Sequence, residues 1–474
     1  MNLRTSLHLL LLLPTLVGGL LALYLLSQTT RSDVSDRGFG DLASSSWNQI
    51  IDAIPAEMPG VYAEYVESDD EATVETLAEE RRDVFAINNA FIVTCTLLMI
   101  FGLLGQALMA AGVPGEDPIW FSLVRVGAIF GVTLLSFIVF GFSLAFPGDG
   151  LFGGFYLPGD LNSVEYGLSG IHEWTDLFYI GCYVALIGVL ILSFCRAGLS
   201  SISGFLIAIP IVTLLSPLVV SWKWGAGWLD QLGNNYDFAG SALFHWHAGF
   251  SALILGGSLT LYRNWREKEL PTKPEEKPAA FNPLLFIPGA LGMILLMVGM
   301  NAGSALEATA PVVAPVIQAS LIAGAISGFL AIVWWAVART RTVVEYLVHG
   351  FIAGMVVAAG GTDLMSLSEA ITLGVVSGIL VPGFILALDK MRWVDPLAVG
   401  PVHGVGGFIG TLGTVILLAE DNTATLLGQM LLLFVIPILS GGLVLLIVVF
   451  AGATKLLLTN LPQKSSPPPL PGSP

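Results

Sequence analysis

DFAGSALFHWHAGF (Asp237–Phe250) and DPLAVGPVHGVGGF (Asp395–Phe408) share one pattern: an Asp, seven residues, a His, three residues and then Gly-Phe. Both segments lie in apolar surroundings, where a buried ionisable residue is expensive and marks a functional site by default. A single membrane His is as often a structural hydrogen-bonding residue as a functional one. Two of them in matching segments, His245 and His403, suggest a pair that acts together.

The composition identifies a polytopic membrane protein. Of the 474 residues, 55% are hydrophobic and only 11% are charged, and the mean hydropathy is +0.81. A soluble globular domain has about a quarter charged residues, and a helix that crosses the bilayer needs about 20 apolar residues. Such runs predict twelve spans, at residues 7–26, 86–109, 121–146, 176–194, 202–220, 238–261, 284–301, 313–337, 343–360, 370–388, 399–418 and 424–457.

The chain has four predicted regions. Residues 1–27 contain Arg4 and a leucine-rich stretch, which fits a signal peptide or an uncleaved signal anchor, and the length of the stretch favours the anchor. Residues 28–83 form an acidic extracytoplasmic segment, residues 84–458 the membrane domain, and residues 459–474 a Pro/Ser-rich cytoplasmic tail. The three cysteines indicate neither a disulfide framework nor a metal site, and no cofactor is expected.

The loops of the membrane domain alternate between basic and acidic. By the positive-inside rule the basic loops and the C-terminus are cytoplasmic, which fits an inner or plasma membrane. The acidic loops, where Lys223 is the one basic exception, then lie outside. With this topology the span after Asp237 enters from outside and the span after Asp395 enters from the cytoplasm. The two copies are therefore antiparallel, as in an inverted repeat whose substrate site lies near the midplane.

The matched spacing brings the two histidines to a similar depth. At a rise of 1.5 Å per residue, eight residues place His245 and His403 each about 12 Å from its own side of the membrane. In a hydrocarbon core of about 30 Å they are then within roughly 6 Å of each other in depth, so they can touch. Asp237 and Asp395 each precede an apolar run, which favours helix N-capping over direct contact with a ligand.

Two further histidines lie within predicted spans. His247 is two residues from His245 and so points to another helical face, which predicts packing against lipid or a neighbouring subunit. His349, in the Gly-rich stretch VHGFIAG, has no matching partner in the other half of the chain. The sequence therefore assigns it no role.

Five motifs, taken in order, resemble the ammonium transporter, methylammonium permease and Rhesus protein family over about residues 86–457. The resemblance implies an all-α, eleven-span inverted-repeat fold of five plus five spans and one more, preceded here by the N-terminal hydrophobic segment. It also implies a homotrimer with one narrow pore in each subunit and no enzymatic activity. The motifs are NNAF (88–91), GFSLAF (141–146), DFAGSALFH (237–245), NAGSAL (301–306) and VHGVGGFIGTLGT (402–414).

The resemblance assigns site residues by motif. Physical chemistry agrees with the assignment of Trp224 and Ser304 to an ammonium site. A Trp ring attracts a cation by about 0.5 to 2 kcal/mol, and a Ser hydroxyl accepts an N–H bond. Trp is also a common interfacial anchor and Ser a common helix-packing residue. The implied pore residues are His245, His403, Tyr183 and Met300, the last two replacing an aromatic pair of the family, and the implied outer vestibule consists of Trp224, Ser304 and Asp237.

Energetics favour a mechanism in which ammonium loses its proton. An unpaired small cation in hydrocarbon faces a penalty of tens of kcal/mol, whereas deprotonating an amine at neutral pH costs about 1 to 5 kcal/mol. The predicted protein recruits NH4+ (and its methyl derivative), passes NH3 through the pore, and can relay the proton through imidazole. An ammonium sensor with the same fold and a Rhesus-like channel for carbon dioxide are the alternatives. The tail lacks the family's regulatory region, which argues against a PII-type regulator, and no nucleic acid is expected.

Overall fold

The computed structural model describes residues 71–115, 118–146, 171–225, 227–232, 234–269, 281–308, 310–418 and 424–453. The predicted signal peptide or anchor and the Pro/Ser-rich tail lie outside the described residues, as does the acidic segment up to residue 70. Within the described residues the regular structure is helical and contains no strand, which confirms the all-α prediction.

The helices follow one another along the chain with boundaries close to those of the predicted spans. Their bounds are α1 (Glu71–Gly112), α2 (Trp120–Ser136, Phe137–Gly141 and Phe142–Ala145), α3 (Glu173–Leu192), α4 (Ser201–Pro210, Ile211–Leu215 and Ser216–Lys223), α5 (Ser241–Trp246 and His247–Glu269), α6 (Pro283–Gly303), α7 (Val313–Ala338), α8 (Val343–Ala358), α9 (Leu367–Lys390), α10 (Gly400–Val405, Gly406–Gly413 and Thr414–Leu418) and α11 (Leu426–Ala453).

Eight helices in the described part of the chain are long and apolar enough to cross a membrane, and α8 is a shorter apolar helix. The protein is therefore a multi-pass membrane protein, while the count of eleven spans stays a prediction. The most apolar window of α3 is 94% buried inside the bundle, whereas those of the other seven are 33 to 50% buried. Helix α3 consequently runs through the middle of the bundle, and the other seven leave part of their apolar surface exposed.

Helices α1 and α6, which begin the two halves of the predicted repeat, pack against each other through glycine. A Cβ on Gly105 would lie 2.6 Å from the carbonyl oxygen of Gly289, and one on Gly289 would lie 2.5 Å from that of Gly105. Small residues of this kind let membrane helices approach closely. The first helices of the two halves are thus paired, as an inverted repeat requires.

Four helices (α2, α4, α5 and α10) contain π turns, in which the backbone bonds reach one residue further than in an α-helix. In α5 the π turn is Ser241–Trp246 and in α10 the first one is Gly400–Val405. These two turns carry His245 and His403. Since π turns in helices often mark functional sites, their occurrence at both histidines directs attention to this part of the bundle.

Candidate functional site

Helices α5 and α10 begin in the same way, with an aspartate that caps free backbone N–H groups. Asp237 accepts hydrogen bonds through Oδ2 from the N–H groups five and six residues later, at 3.0 and 2.9 Å. Asp395 accepts hydrogen bonds through Oδ1 and Oδ2 from the N–H groups four and five residues later, both at 2.8 Å. The predicted N-capping by both aspartates is confirmed.

The backbone between each aspartate and its π turn is also repeated. Gly240 and Ala398, each three residues after the aspartate, adopt the left-handed conformation with φ values of +84° and +51°. Glycine reaches this region readily, whereas an L-residue such as Ala pays roughly 1 to 2 kcal/mol. The second copy keeps the conformation although its residue is unfavourable for it, which indicates that the turn is needed to set the start of the helix.

The two helices cross directly beside the histidines. A Cβ on Gly249, four residues after His245, would lie 1.9 Å from the backbone nitrogen of Gly404. A Cβ on Gly407, four residues after His403, would lie 2.6 Å from the backbone nitrogen of Trp246. Each glycine therefore packs on the residue that follows the other histidine. This reciprocal contact is the local two-fold relation that the inverted pattern predicts.

The crossing brings the two imidazoles together. The Nδ1 atoms of His245 and His403 are 3.0 Å apart, and the rings stack with centroids 5.1 Å apart at an angle of 26°. The side chains are buried, with 0% and 3% exposure. The expected contact between the histidines is confirmed.

Only one proton fits between the two Nδ1 atoms, because one nitrogen must donate and the other accept. In the neutral pair one ring is therefore protonated at Nδ1 and the other at Nε2, and the hydrogen bond itself leaves open which ring is which. The Nε2 atom of His245 is buried and has no hydrogen-bond partner among the described residues. The pair therefore keeps a free polar atom besides the hydrogen bond between its rings.

An aromatic cluster lies next to His245, and we define it as Trp224, Tyr183 and Phe244. The Tyr183 ring meets the Trp224 ring edge-on at 5.5 Å and the Phe244 ring at 4.7 Å, and the Trp224 and Phe244 rings are 5.2 Å apart. Two of the three were predicted site residues. Phe244 was missed, although its place directly before His245 in the first motif could have indicated it.

The Tyr183 hydroxyl connects the cluster to α6. It lies 2.8 Å from the Met300 carbonyl oxygen, 2.7 Å from Ser304 Oγ and 3.0 Å from the Tyr179 hydroxyl. Ser304 Oγ also lies 2.9 Å from the Met300 carbonyl, and Tyr179 lies 2.8 Å from it. Tyr183, Met300 and Ser304 are thus brought together as predicted, and Tyr183 finds its hydrogen bonds within the protein. Tyr179 was not foreseen.

The backbone carbonyl oxygen of each capping aspartate accepts a hydrogen bond from a side chain elsewhere in the chain. The Trp224 indole donates to the Asp237 carbonyl oxygen at 2.9 Å. The Arg341 guanidinium donates to the Asp395 carbonyl oxygen at 2.8 Å and pairs with Asp389, also at 2.8 Å. The Oδ1 atom of Asp237 is buried without a hydrogen-bond partner among the described residues. One carboxylate oxygen is therefore left over from the cap in the first half only.

A second acidic group stands near Asp237, outside the spans. The Tyr236 hydroxyl donates to a carboxylate oxygen of Asp363, in the loop between α8 and α9. Burial raises the pKa of Asp363 above its ordinary value, and the hydrogen bond from Tyr236 opposes this rise. The contact ties the loop before α5 to the loop after α8 on the same side of the bundle.

The prediction for His247 is wrong. Its side chain is fully buried within the single chain and so faces neither lipid nor another subunit. The π turn that precedes it adds a residue to the helical turn and so changes which face the next residue occupies. Among the described residues no group of three metal-ligating side chains occurs, and the three cysteines are buried and free.

Comparisons with known proteins agree with the geometry. A sequence model of the Ammonium Transporter Family matches residues 90–464. Ammonium transporter Amt1 of Archaeoglobus fulgidus is 27% identical over 293 residues, which cover 60% of this chain and 69% of that protein. A solved structure named Sensor Amt Protein has a TM-score of 0.67 at 21% identity and covers 80% of this chain and 96% of its own. Mep2 of Saccharomyces cerevisiae has a TM-score of 0.64 at 20% identity, with coverage of 79% and 88%. The predicted resemblance is confirmed, and the chain belongs to the Ammonium Transporter Family.

Proposed function

We propose that this protein transports ammonium across its membrane by deprotonating NH4+ and passing NH3 along the two histidines. The observation that carries the proposal is the contact between His245 and His403 at 3.0 Å, at the crossing of two antiparallel helices. The pair is buried, and its free Nε2 atom can hydrogen-bond a neutral amine.

Recruitment of the cation is proposed for the aromatic cluster and the groups around it. A Trp or Tyr ring face attracts a cation, Ser304 Oγ accepts an N–H bond, and the free Oδ1 atom of Asp237 supplies negative charge at the same end of α5. Tyr183 and Met300 then form the constriction between this vestibule and the histidines. Potassium and sodium have no proton to give up, so the apolar passage beyond the vestibule excludes them.

The assembly that we propose is a homotrimer in an inner or plasma membrane, with the C-terminus in the cytoplasm. The membrane domain is residues 84–458 and forms one pore-bearing subunit. Exposed apolar side chains on α1 and α6, including Phe101 and Leu291, are available for lipid or subunit contact. The distribution of basic residues supports the orientation.

A sensor that binds ammonium without conducting it is the second candidate. The contact between Tyr183 and Ser304 favours it, because a hydroxyl of the recruitment site is already hydrogen-bonded to the residue proposed as the constriction. A solved structure with the same fold carries the name Sensor Amt Protein. At that level of identity the likeness speaks for the fold alone.

Currents in proteoliposomes test the proposal. Adding ammonium should produce a transient current and a change of internal pH that protein-free liposomes do not show. Potassium at the same concentration should give no current, and carbon dioxide should give the same pH change with and without protein. Saturable ammonium binding by calorimetry together with no current would reject transport and support the sensor.

A further inference from the structure

His349 of α8 is buried without a hydrogen-bond partner. Its side chain is 1% exposed, and neither ring nitrogen has a partner among the described residues. Among the described residues, Phe286 of α6 is the aromatic ring in contact with the imidazole, which it meets edge-on at 6.0 Å. Burying both polar atoms of an imidazole in this way is costly, so a residue of this kind requires an explanation.

The packing of α8 on α10 shows what lies opposite His349. A Cβ on Gly410 would lie 2.6 Å from the Val357 carbonyl oxygen, and one on Gly406 would lie 3.6 Å from the Ala353 carbonyl oxygen. The two helices therefore run side by side in the same direction. One turn further towards the predicted cytoplasmic side, His349 is four residues before Ala353 and His403 is three residues before Gly406. The two residues therefore lie at the same level of the bundle.

His247 of α5 is the other deeply buried histidine outside the His245–His403 pair. Its ring nitrogens, like those of His349, have no hydrogen-bond partner among the described residues. Missing partners alone therefore do not single out His349. What distinguishes His349 is its place on α8, opposite His403.

We propose that His349 is a third binding station for ammonia, beside His403 at the same level of the bundle. The proposal rests on the proposed transport function. Neutral imidazole offers one donor and one acceptor, and ammonia carries both N–H groups and a lone pair. An unpaired cation would be strongly disfavoured at so buried a position. The ligand of the station is therefore the neutral base.

His349→Leu tests the station against a structural role. The substitution removes two unpartnered polar atoms, so the melting temperature of the purified protein should stay the same or rise. The ammonium current should nevertheless fall at least tenfold, because the passage beside His403 loses a polar group. His349→Gln keeps a donor and an acceptor and should restore part of the current. A purely structural histidine would give the opposite pattern, with lost stability and a retained current.

The control is the same substitution at His247. Since that ring is also buried without a hydrogen-bond partner but is not part of the proposed station, His247→Leu should likewise keep or raise the melting temperature, but it should change the current less than His349→Leu does. A wild-type current in His349→Leu, with the wild-type protein conducting, overturns the station while leaving the transport function intact.

If the wild-type protein does not conduct, the transport proposal fails. The binding of ammonia at His349 is then tested directly. Electron density maps of the wild-type protein and of His349→Leu are then compared at high ammonium concentration. Density within hydrogen-bond distance of His349 that disappears in the variant and in ammonium-free samples supports a binding site. Absence of such density in the wild-type protein overturns it.

Discussion

Helices α5 and α10 have the same backbone design but different surroundings at their ends. Both start with a capping aspartate, pass through a left-handed residue, carry their histidine in a π turn and cross at a glycine four residues later. At the start of α5 the Trp224 indole donates a hydrogen bond to the backbone carbonyl oxygen of the capping aspartate. At the start of α10 the Arg341 guanidinium makes the corresponding bond. The residue before the histidine is Phe244 in one and Val402 in the other.

The difference separates what the fold needs from what the function needs. The shared features are the ones that bring two rings into contact from opposite sides, and any departure from them would misplace a histidine. The features that differ lie at the two ends of the proposed path, where ammonium would enter and ammonia would leave. An aromatic end suits the capture of a cation. At the other end both carboxylate oxygens of Asp395 are used in the cap, so the free oxygen that Asp237 offers to a cation has no counterpart there.

The sharpest test of this symmetry is to remove each histidine in turn. His245→Ala and His403→Ala should each abolish the ammonium current, because either change leaves one imidazole without its partner and breaks the hydrogen bond between the two rings. Both variants should still form a folded oligomer on size-exclusion chromatography. Wild-type currents in both would rule out a shared pore, and loss of current in only one would show that the halves are not equivalent.

The caps provide the next test, through stability. Asp237→Ala and Asp395→Ala should each lower the free energy of unfolding by about 0.5 to 2 kcal/mol, the usual effect of losing an N-cap. Asp395→Ala should have the larger effect, because both of its carboxylate oxygens are used. Melting temperatures of the detergent-purified variants would show this.

Asp237→Asn separates capping from charge. Asparagine caps as well as aspartate does, so stability should be kept. If the free Oδ1 atom attracts ammonium, the concentration of ammonium at half-maximal current should rise. An unchanged half-saturation would leave Asp237 with a capping role alone.

Features of the site that depend on a single sequence segment could be predicted, whereas those that depend on helix packing could not. The spacing from Asp237 to His245 and from Asp395 to His403 was sufficient to predict capping, opposite orientation and contact, since all three follow from helix geometry and the charge of the loops. The π turns and the burial of His247 were not predictable in this way, because a change of helical turn leaves no mark in the apolar pattern.

Contacts between helices distant in sequence were the harder part. Tyr183 and Met300 entered as site residues by resemblance, but the hydrogen bond between the Tyr183 hydroxyl and the Met300 carbonyl oxygen depends on how α3 is placed against α6. The position of His349 beside His403 likewise depends on the packing of α8 on α10. Nothing in either sequence segment encodes that register by itself.

A smaller effect is expected from the aromatic end. Trp224→Ala should raise the half-saturating ammonium concentration several-fold, since a cation–π contact of about 1 kcal/mol corresponds to roughly five-fold in affinity. Trp222→Ala is a matched control, because Trp222 lies at the end of the same helix but packs on Trp228 at 5.4 Å, outside the aromatic cluster. Equal effects of the two substitutions would make Trp224 an interfacial anchor.

The smallest effect is expected from the Tyr183 hydroxyl. Tyr183→Phe keeps the ring but removes the bonds to Met300 and Ser304, each worth about 0.5 to 1.5 kcal/mol. Ser304 Oγ is then free to accept from ammonium, so half-saturation should fall a few-fold. Tyr179→Phe loses a bond to the same carbonyl but keeps the contact between Tyr183 and Ser304, so it should leave half-saturation unchanged.

Adding Met300→Phe to Tyr183→Phe rebuilds a pair of phenyl rings between the aromatic cluster and the histidines. Phe is stiffer than Met and brings no hydroxyl, so the double variant should pass less methylammonium while its ammonium current changes little. Uptake of labelled methylammonium and the ammonium current, measured on the same liposomes, give the ratio. If the wild-type protein proves silent and the double variant conducts, the Tyr183 hydroxyl is what blocks passage. The aromatic end would then bind ammonium without passing it to the histidines. The protein would be a sensor, and the two ends would not be the entrance and exit of a conducting path.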